Sequence, residues 1–149
     1  MKVIKEWKKV ALTDLVYVVS ELKDVLSLPA VVILSGEVGA GKTTLVQQYS
    51  ELPETNSPTY SVINEYGDIV HADFYRLEDP EEILHLELPL YVEGKNTIFV
   101  EWGKDYFKYL MRELGFDFNY YELQIDIYHS EQIDQSFRNY SLRSIDKFS

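Results

Sequence analysis

Residues 30–46 read A-V-V-I-L-S-G-E-V-G-A-G-K-T-T-L-V, and this stretch limits the possible folds more than any other part of the chain. A short apolar run leads into a glycine-rich loop, which is followed by a lysine, two threonines and a helix-compatible segment. The loop fits the pattern G-x-x-x-x-G-K-[ST], which binds phosphate when a strand precedes it and a helix follows it. The stretch therefore predicts a strand, a phosphate-binding loop and a helix in succession.

The residue types in this loop suit a triphosphate. Glycines allow successive backbone N–H groups to point inward without interference from Cβ atoms. The N-terminus of the following helix adds unpaired N–H groups and the positive end of the helix dipole. Lys42 is expected to reach the β- and γ-phosphates, and the Thr43 hydroxyl is expected to ligate Mg²⁺. The predicted phosphate-binding residues are Gly36, Glu37, Val38, Gly39, Ala40, Gly41, Lys42, Thr43 and Thr44.

Two carboxylates end apolar segments elsewhere in the chain. Glu101 ends T-I-F-V-E, which is the layout of a Walker B strand, and Asp73 ends I-V-H-A-D in the same way. Nucleotide hydrolysis requires Mg²⁺ to be held on its second side and a water to be aligned behind the γ-phosphate. Each carboxylate is therefore a candidate for touching Mg²⁺, directly or through water, or for orienting the attacking water. The alternative is that each is a solvated strand-end acid or a helix cap.

Three other residues are candidates for the same site. Thr59 lies in a proline-stiffened loop, where many hydrolases carry a threonine that senses the γ-phosphate. Trp102 follows Glu101 and is either a core aromatic or an exposed contact beside the metal. Arg76 is a candidate for pairing with a phosphate or with neighbouring acidic side chains. The histidines lack metal-ligand spacing and are interpreted as structural or surface residues; they are His71, His85 and His129.

The hydrophobic pattern along the chain predicts an alternation of strands and helices. Strands are predicted at residues 3–10, 30–34, 60–66, 69–74, 97–101, 120–128 and 137–145. Helices are predicted from Thr13 until Pro29, over residues 42–50, from Asp79 until Pro89, and over residues 105–114. These elements predict a three-layer α/β, P-loop NTPase-like fold, with a mostly parallel central sheet and antiparallel hairpin strands flanked by helices.

The chain has 149 residues, which predicts a single domain spanning residues 1–149. Its formal net charge of -11 argues against autonomous nucleic-acid binding, because that affinity comes largely from neutralising phosphates. No apolar run approaches the ~18 residues of a membrane helix. The N-terminal segment lacks the apolar region of a signal peptide. We therefore expect a cytoplasmic protein that does not contact a membrane.

Four segments taken in order resemble the TsaE family, also called YjeE. They are G-E-V-G-A-G-K-T-T-L, S-P-T-Y-S-V, H-A-D-F-Y-R-L-E-D-P-E-E and V-E-W-G, within residues 13–105. Members of that family are small bacterial ATPases needed to make threonylcarbamoyladenosine at position 37 of ANN-decoding tRNAs. The chain departs from the family at G-E-V, where G-D-L is usual, and at Gly103, where a proline is common. The segment after Asp105 carries no family signature.

The resemblance implies an ATPase whose ligands are ATP and Mg²⁺. Thr43 and Glu101 would ligate Mg²⁺, and Asp73 would help to position the metal or the water. Thr59 would belong to a switch-like loop. Trp102 would lie at the site and at the partner surface.

The resemblance also implies a residue near the base and a set of protein partners. Thr13 would correspond to a family residue near the adenine. In the family, this subunit docks on the TsaB–TsaD heterodimer, in which TsaD transfers the threonylcarbamoyl group. ATP hydrolysis would reset that complex between turnovers, and tRNA would be reached only indirectly through the complex.

The motifs leave three alternatives open. A small-molecule or nucleoside kinase of the P-loop class would close a lid bearing Arg or Lys over the phosphates, and no stretch after Glu101 clusters arginine with glycine. A GTPase switch would need a guanine-reading N-K-x-D segment, which is absent from the sequence. A nucleotide-dependent scaffold without turnover would share the same loop.

Overall fold

The computed structural model describes residues 2–37, 39–51, 62–128 and 137–146. The strands are β1 (Lys2–Ala11), β2 (Ala30–Ser35), β3 (Ile63–Tyr66), β4 (Ile69–Asp73), β5 (Thr97–Glu101), β6 (Asn119–Ile127) and β7 (Phe137–Ile145). The α-helices are α1 (Leu15–Val25), α2 (Lys42–Ser50), α3 (Glu82–His85), α4 (Leu88–Val92) and α5 (Phe107–Leu114). Short 3-10 turns, Leu12–Asp14 and Lys104–Tyr106, precede α1 and α5. None of the helices in these ranges combines the length and hydrophobicity needed to cross a bilayer.

The strands form one seven-stranded sheet in the order β1-β7-β6-β2-β5-β4-β3. The four strands at its centre, β6, β2, β5 and β4, run parallel to one another. Antiparallel strands complete both edges: β7 and β1 follow β6, and the β3–β4 hairpin closes the opposite side. The predicted α/β architecture, with a mostly parallel centre and antiparallel hairpin strands, is therefore confirmed.

The two innermost strands, β2 and β5, are apolar along most of their length because helices cover both faces of the sheet. All residues of β5 are buried, as are all of β2 except its last. Strands buried on both faces lose the alternation of apolar and polar residues that a half-exposed strand shows. Their register places Leu34 of β2 and Asp73 of β4 opposite Glu101 of β5, so three neighbouring strands end at the same edge.

Helices α1 and α2 pack on one face of the sheet and α3, α4 and α5 on the other. Leu22 and Leu45 lie in the first core, and Ile83 and Leu110 lie in the second. All four side chains are fully buried. Each such side chain contributes about 1.5–3 kcal/mol relative to exposure. These two cores fix the helix that follows the phosphate-binding loop, and the sheet beneath it, as one rigid base for the site.

Two predicted helix boundaries are wrong. Thr13 does not cap α1, because it lies inside a 3-10 turn and the helix begins at Leu15 without a side-chain cap. Pro89 does not end a helix. The backbone at Glu87 is left-handed, with φ 54°, and Pro89 lies in the first turn of α4. Proline is tolerated there because the N–H groups of a first turn have no partner within the helix.

Replacing Tyr120 with Phe is expected to reduce the loss of stability at alkaline pH. Burial raises the pKa of Tyr120 to about 12, against a usual 10.0. Between these values unfolding releases a proton, so stability falls as pH rises. Without the hydroxyl, this fall becomes shallower by up to about 1.4 kcal/mol per pH unit.

Urea unfolding across this alkaline range measures the slope. Tyr17→Phe is the matched control, because Tyr17 is 68% exposed. Equal slopes for Tyr120→Phe and the unmodified protein would contradict the expectation.

Candidate nucleotide-binding site

The glycine-rich loop and both predicted carboxylates meet at one edge of the sheet. The loop leaves β2 after Ser35, and Glu101 and Asp73 end the next two strands. Together they border a cavity of about 390 Å³, which we call the phosphate cavity. It is lined by Gly39, Gly41, Lys42, Thr43, Thr44, Asp73, Tyr75, Glu101 and Trp102. The structure thus brings five of the predicted loop residues, both carboxylates and the tryptophan to one place, whereas Gly36, Glu37 and Ala40 do not line this cavity.

Glycine is required at the start of this loop for a steric reason. Gly36 has φ 148°, and a Cβ there would collide with the carbonyl oxygen of Ile125. Gly39 and Gly41 also have positive φ, of 84° and 106°, but their Cβ positions face open space. A loop with such backbone angles and no side chains at these positions leaves its N–H groups accessible to an anion.

Lys42 is only 5% exposed although it carries a charge. Its Nζ donates a hydrogen bond to the carbonyl oxygen of Gly36 at 2.7 Å and lies 3.7 Å from the centre of the Trp102 ring. Burial lowers the pKa of the Lys42 ammonium, and the carboxylates of Glu101 and Asp73 oppose that shift. The ammonium is therefore held at the phosphate cavity by contacts that a phosphate could replace.

Glu101 links the loop helix to two strands. Its side chain is buried, and Oε2 accepts a hydrogen bond from Thr43 Oγ1 at 3.0 Å. The same oxygen lies 2.5 Å from His71 Nε2. His71 is itself buried on β4. The hydroxyl of the loop helix, the carboxylate and the imidazole thus form one chain of hydrogen bonds.

The oxygen atoms of Thr43 and Glu101 fit Mg²⁺. No group of three or more His, Cys, Asp or Glu side chains in the described ranges converges as a metal site. Mg²⁺ does not need such a cage, since it usually binds through one or two protein oxygens together with phosphates and water. A hydroxyl and a carboxylate 3.0 Å apart, beside a loop suited to phosphate, match that requirement.

The end of β4 is tied to β5 through its backbone. The N–H of Phe74 donates to the carbonyl oxygen of Glu101 at 2.9 Å. Asp73 Oδ1 accepts a hydrogen bond from the N–H of Tyr75 at 3.0 Å. These bonds hold the Asp73 carboxylate at the rim of the phosphate cavity and fix the backbone of Tyr75 beside it.

Trp102 lies at the rim in an unusual conformation. Its φ is 62°, in the left-handed region, which costs a non-glycine residue about 1–3 kcal/mol. This turn lays the indole against Lys42 and 5.2 Å from the ring of Tyr75. The residue after it, Gly103, is packed tightly, because a Cβ there would lie 2.5 Å from Val100 Cγ1. The absence of a side chain at residue 103 therefore allows this loop to pack closely against Val100.

The other predicted site residues lie apart from the phosphate cavity or outside the described ranges. Arg76 is exposed and is not among the residues that line the cavity. Thr13 is exposed in the 3-10 turn before α1. Val38 and Thr59 lie outside the described residues.

A second opening, the side groove, also borders the loop and shares Gly39, Gly41 and Thr44 with the phosphate cavity. Its volume is about 660 Å³. It is lined by Val10, Leu12, Leu15, Gly39, Ala40, Gly41, Thr44, Gln47, Gln48, Arg138 and Tyr140. Leu12 and Leu15, on either side of Thr13 in the sequence, line this groove, whereas Thr13 itself does not. Its lining combines apolar and polar side chains beside a phosphate-suited loop, and both kinds of contact suit a nucleoside.

Sequence reasoning missed two residues that contact the site. His71 was interpreted as structural, yet it contacts Glu101. The signal was present, since His71 and Asp73 are two residues apart on a strand and therefore share a face. Arg138 contacts the loop from β7. No local pattern indicates that contact, because it depends on where β7 lies in the sheet.

His71→Ala is expected to destabilise the protein by about 2 kcal/mol, because it leaves a buried carboxylate without one of its hydrogen-bond partners. Urea unfolding measures the change. His85→Ala is the control, since His85 is exposed on α3 and its loss should change stability by less than about 0.5 kcal/mol. Equal stability of the two variants would show that the contact between His71 and Glu101 contributes nothing.

Comparison with known proteins adds family information to this geometry. Residues 11–137 match the family model described as "Threonylcarbamoyl adenosine biosynthesis protein TsaE". A relative named tRNA threonylcarbamoyladenosine biosynthesis protein TsaE, from Nostoc sp., is 41% identical over 95 residues, covering 56% of this chain and 58% of the relative.

Proteins of the same name from Bacillus subtilis and Haemophilus influenzae are similar over a shorter stretch. The first is 40% identical over 81 residues, covering 49% of this chain and 50% of the relative. The second is 37% identical over 81 residues, covering 49% and 51%. The chain thus aligns with little more than half the length of these relatives. Because the family model spans most of the sequence, including the loop and both strand-end carboxylates, the chain belongs to the TsaE family.

Proposed function

We propose that this protein binds Mg·ATP in the phosphate cavity and hydrolyses it, as the ATPase subunit in the synthesis of threonylcarbamoyladenosine at position 37 of ANN-decoding tRNAs. One observation carries the proposal. The Thr43 hydroxyl and the Glu101 carboxylate are hydrogen-bonded to each other at 3.0 Å, beside a buried lysine and a glycine loop. A hydroxyl, a carboxylate and an ammonium in this arrangement are the groups that Mg²⁺ and a triphosphate need.

The loop and Lys42 would bind the phosphates. N–H groups of the loop and of the first turn of α2 would donate to phosphate oxygens. Lys42 would exchange its bond to the Gly36 carbonyl and its contact with Trp102 for the β- and γ-phosphates. Since the ammonium is already largely desolvated, this exchange removes little further water from it.

Thr43 and Glu101 would hold Mg²⁺, which when bound neutralises charge on the β- and γ-phosphates. His71 would keep the Glu101 side chain in place through its hydrogen bond. Asp73, at the rim and fixed by the Tyr75 N–H, would help to position the metal or accept a hydrogen bond from the attacking water. The side groove, with its mixed apolar and polar lining, would take the base and ribose.

Turnover by the isolated subunit should be slow. Among the described residues that line the phosphate cavity, Lys42 is the one cation, and no arginine is present. An arginine supplied to a γ-phosphate accelerates hydrolysis by about 10³–10⁵ in other nucleotide hydrolases. A partner is therefore expected to complete the site.

We propose that the partner is the TsaB–TsaD heterodimer and that ATP hydrolysis resets it between turnovers. Trp102 and Tyr75 support this part of the proposal, because they touch each other at the rim and Tyr75 is 63% exposed. Movement of Lys42 from the indole to a phosphate would change the packing of this pair. Contact with tRNA would be indirect, since the net charge of the subunit is -11.

Lys42→Ala is expected to weaken binding of Mg·ADP and Mg·ATP by roughly 10–100-fold, the loss that follows from removing a hydrogen bond to a charged group. Titration calorimetry measures the affinity. Lys108→Ala is the control, because Lys108 is exposed on α5, away from the loop. Unchanged affinity of the Lys42 variant would rule out phosphate binding at this loop.

Nucleotide-dependent co-purification with a TsaB–TsaD pair tests the function itself. The protein should be retained with Mg²⁺ and a non-hydrolysable ATP analogue and should be largely released without nucleotide. It should also restore tRNA modification to extracts lacking the endogenous subunit. Failure in both assays would overturn the proposal, and phosphorylation of a nucleoside from a substrate panel would favour the kinase alternative.

A further inference from the structure

Arg138 lies at the start of β7 and is held between two other strands. Its backbone is opposite Ile127 of β6 and opposite Val10 of β1. Its side chain lines the side groove together with Tyr140, on the face of the sheet that carries α1 and α2. The family model ends at residue 137, so the family match does not cover this arginine.

The guanidinium group of Arg138 donates hydrogen bonds to backbone carbonyls of the phosphate-binding loop. Nε donates to the carbonyl oxygen of Ala40 at 2.9 Å, and Nη2 donates to that of Gly39 at 3.4 Å. Nη1 donates to the carbonyl oxygen of Phe137 at 3.1 Å, which holds the group against its own strand. The planar fork of arginine can thus connect two consecutive loop carbonyls to a rigid strand.

These bonds determine where the loop N–H groups point. In a trans peptide the carbonyl and the N–H point in opposite directions. Fixing the Ala40 carbonyl toward Arg138 therefore turns the N–H of Gly41 away from Arg138, and Gly41 is also a lining residue of the phosphate cavity. The neighbouring N–H, that of Ala40, is already used in a turn to the carbonyl of Glu37 at 3.0 Å.

Such an anchor matters because this loop is rich in glycine. Gly39 and Gly41 flank Ala40, have positive φ and meet no atoms at their Cβ positions. Glycine loses more conformational freedom on ordering than any other residue. Hydrogen bonds from a charged donor are about twice as strong as neutral ones, so they can offset part of this loss.

We propose that Arg138 is a positioning residue for the phosphate-binding loop: it holds the loop in its anion-binding conformation before the nucleotide arrives. The consequence of this positioning is tighter binding of the phosphates, and that consequence rests on the proposed function. The inference assigns a role in the nucleotide site to a residue of β7 that lies just beyond the end of the family match.

The first experiment examines the loop without any ligand. Hydrogen exchange followed by mass spectrometry is compared for the unmodified protein, Arg138→Met and Arg143→Met. Arg143 is the matched control, because it lies on the same strand but on the opposite face of the sheet. The hydrogen-bonded amides at the loop are those of Ala40 and Leu45, which donate to the carbonyl oxygens of Glu37 and Gly41. They should exchange about tenfold faster in Arg138→Met, as expected when hydrogen bonds from a charged donor are lost. Those of β5 should be unaffected.

The second experiment separates positioning of the phosphates from contact with the base. Affinities for Mg·ADP and for inorganic pyrophosphate with Mg²⁺ should weaken in Arg138→Met by a similar factor, about tenfold. Arg138→Lys should recover only part of the loss, because a single ammonium keeps the charge but lacks the fork that holds two carbonyls. Arg143→Met should bind as the unmodified protein does.

Three outcomes would overturn the inference. One is that the loop amides exchange hydrogen at the same rate in Arg138→Met as in Arg143→Met. Another is weaker binding of ADP with unchanged binding of pyrophosphate, which would assign Arg138 to the base. The third is full recovery of ligand affinity in Arg138→Lys, which would show that the positive charge alone, and not the fork of the guanidinium group, strengthens binding. If the unmodified protein bound neither ligand, the proposed function would fail, while the exchange comparison would still decide whether Arg138 orders the loop.

Discussion

The carboxylate of Glu101 is the group on which the site depends. One of its oxygens is hydrogen-bonded to Thr43 at the start of α2 and to His71 on β4, so a single buried atom joins the loop helix to two strands. A buried carboxylate is costly unless it is well paired. The loop, the helix and β4 must therefore adopt one relative placement to satisfy it, and that placement puts the Lys42 ammonium beside the same cavity.

Parallel pairing of the central strands makes this meeting possible. Because β2, β5 and β4 run in the same direction, their carboxyl ends form one edge, and the residues that follow them converge there. The apolar strands beneath supply rigidity, whereas the loops above supply the polar groups. The antiparallel β7, two strands away from β2, brings Arg138 to the far side of the loop. The phosphate-binding loop is thus held by a carboxylate on one side and by an arginine on the other.

Much of the fold could be predicted because its signals are local. The bounds of α2, β5 and β7 agree with their hydrophobic patterns and turn residues. Helix α5 ends at residue 114 as predicted, and the N–H of Gly115 after it is bonded to the carbonyl of Met111. The errors have local causes as well. Thr13 has the chemistry of a helix cap, but the chain prefers a 3-10 turn there. Pro89 disfavours a continuing helix, yet it is compatible with the start of a new one.

The sequence by itself determined the phosphate-binding loop, the loop helix and the two strand-end carboxylates, because each is specified by residues adjacent in the chain. Only the tertiary structure decided which other side chains contact them. Arg138 lies 98 residues from the loop carbonyl of Ala40, and His71 lies 30 residues from Glu101. Such contacts arise from strand order and register, which depend on how the whole sheet buries its apolar surface. They leave little trace in any short stretch of sequence.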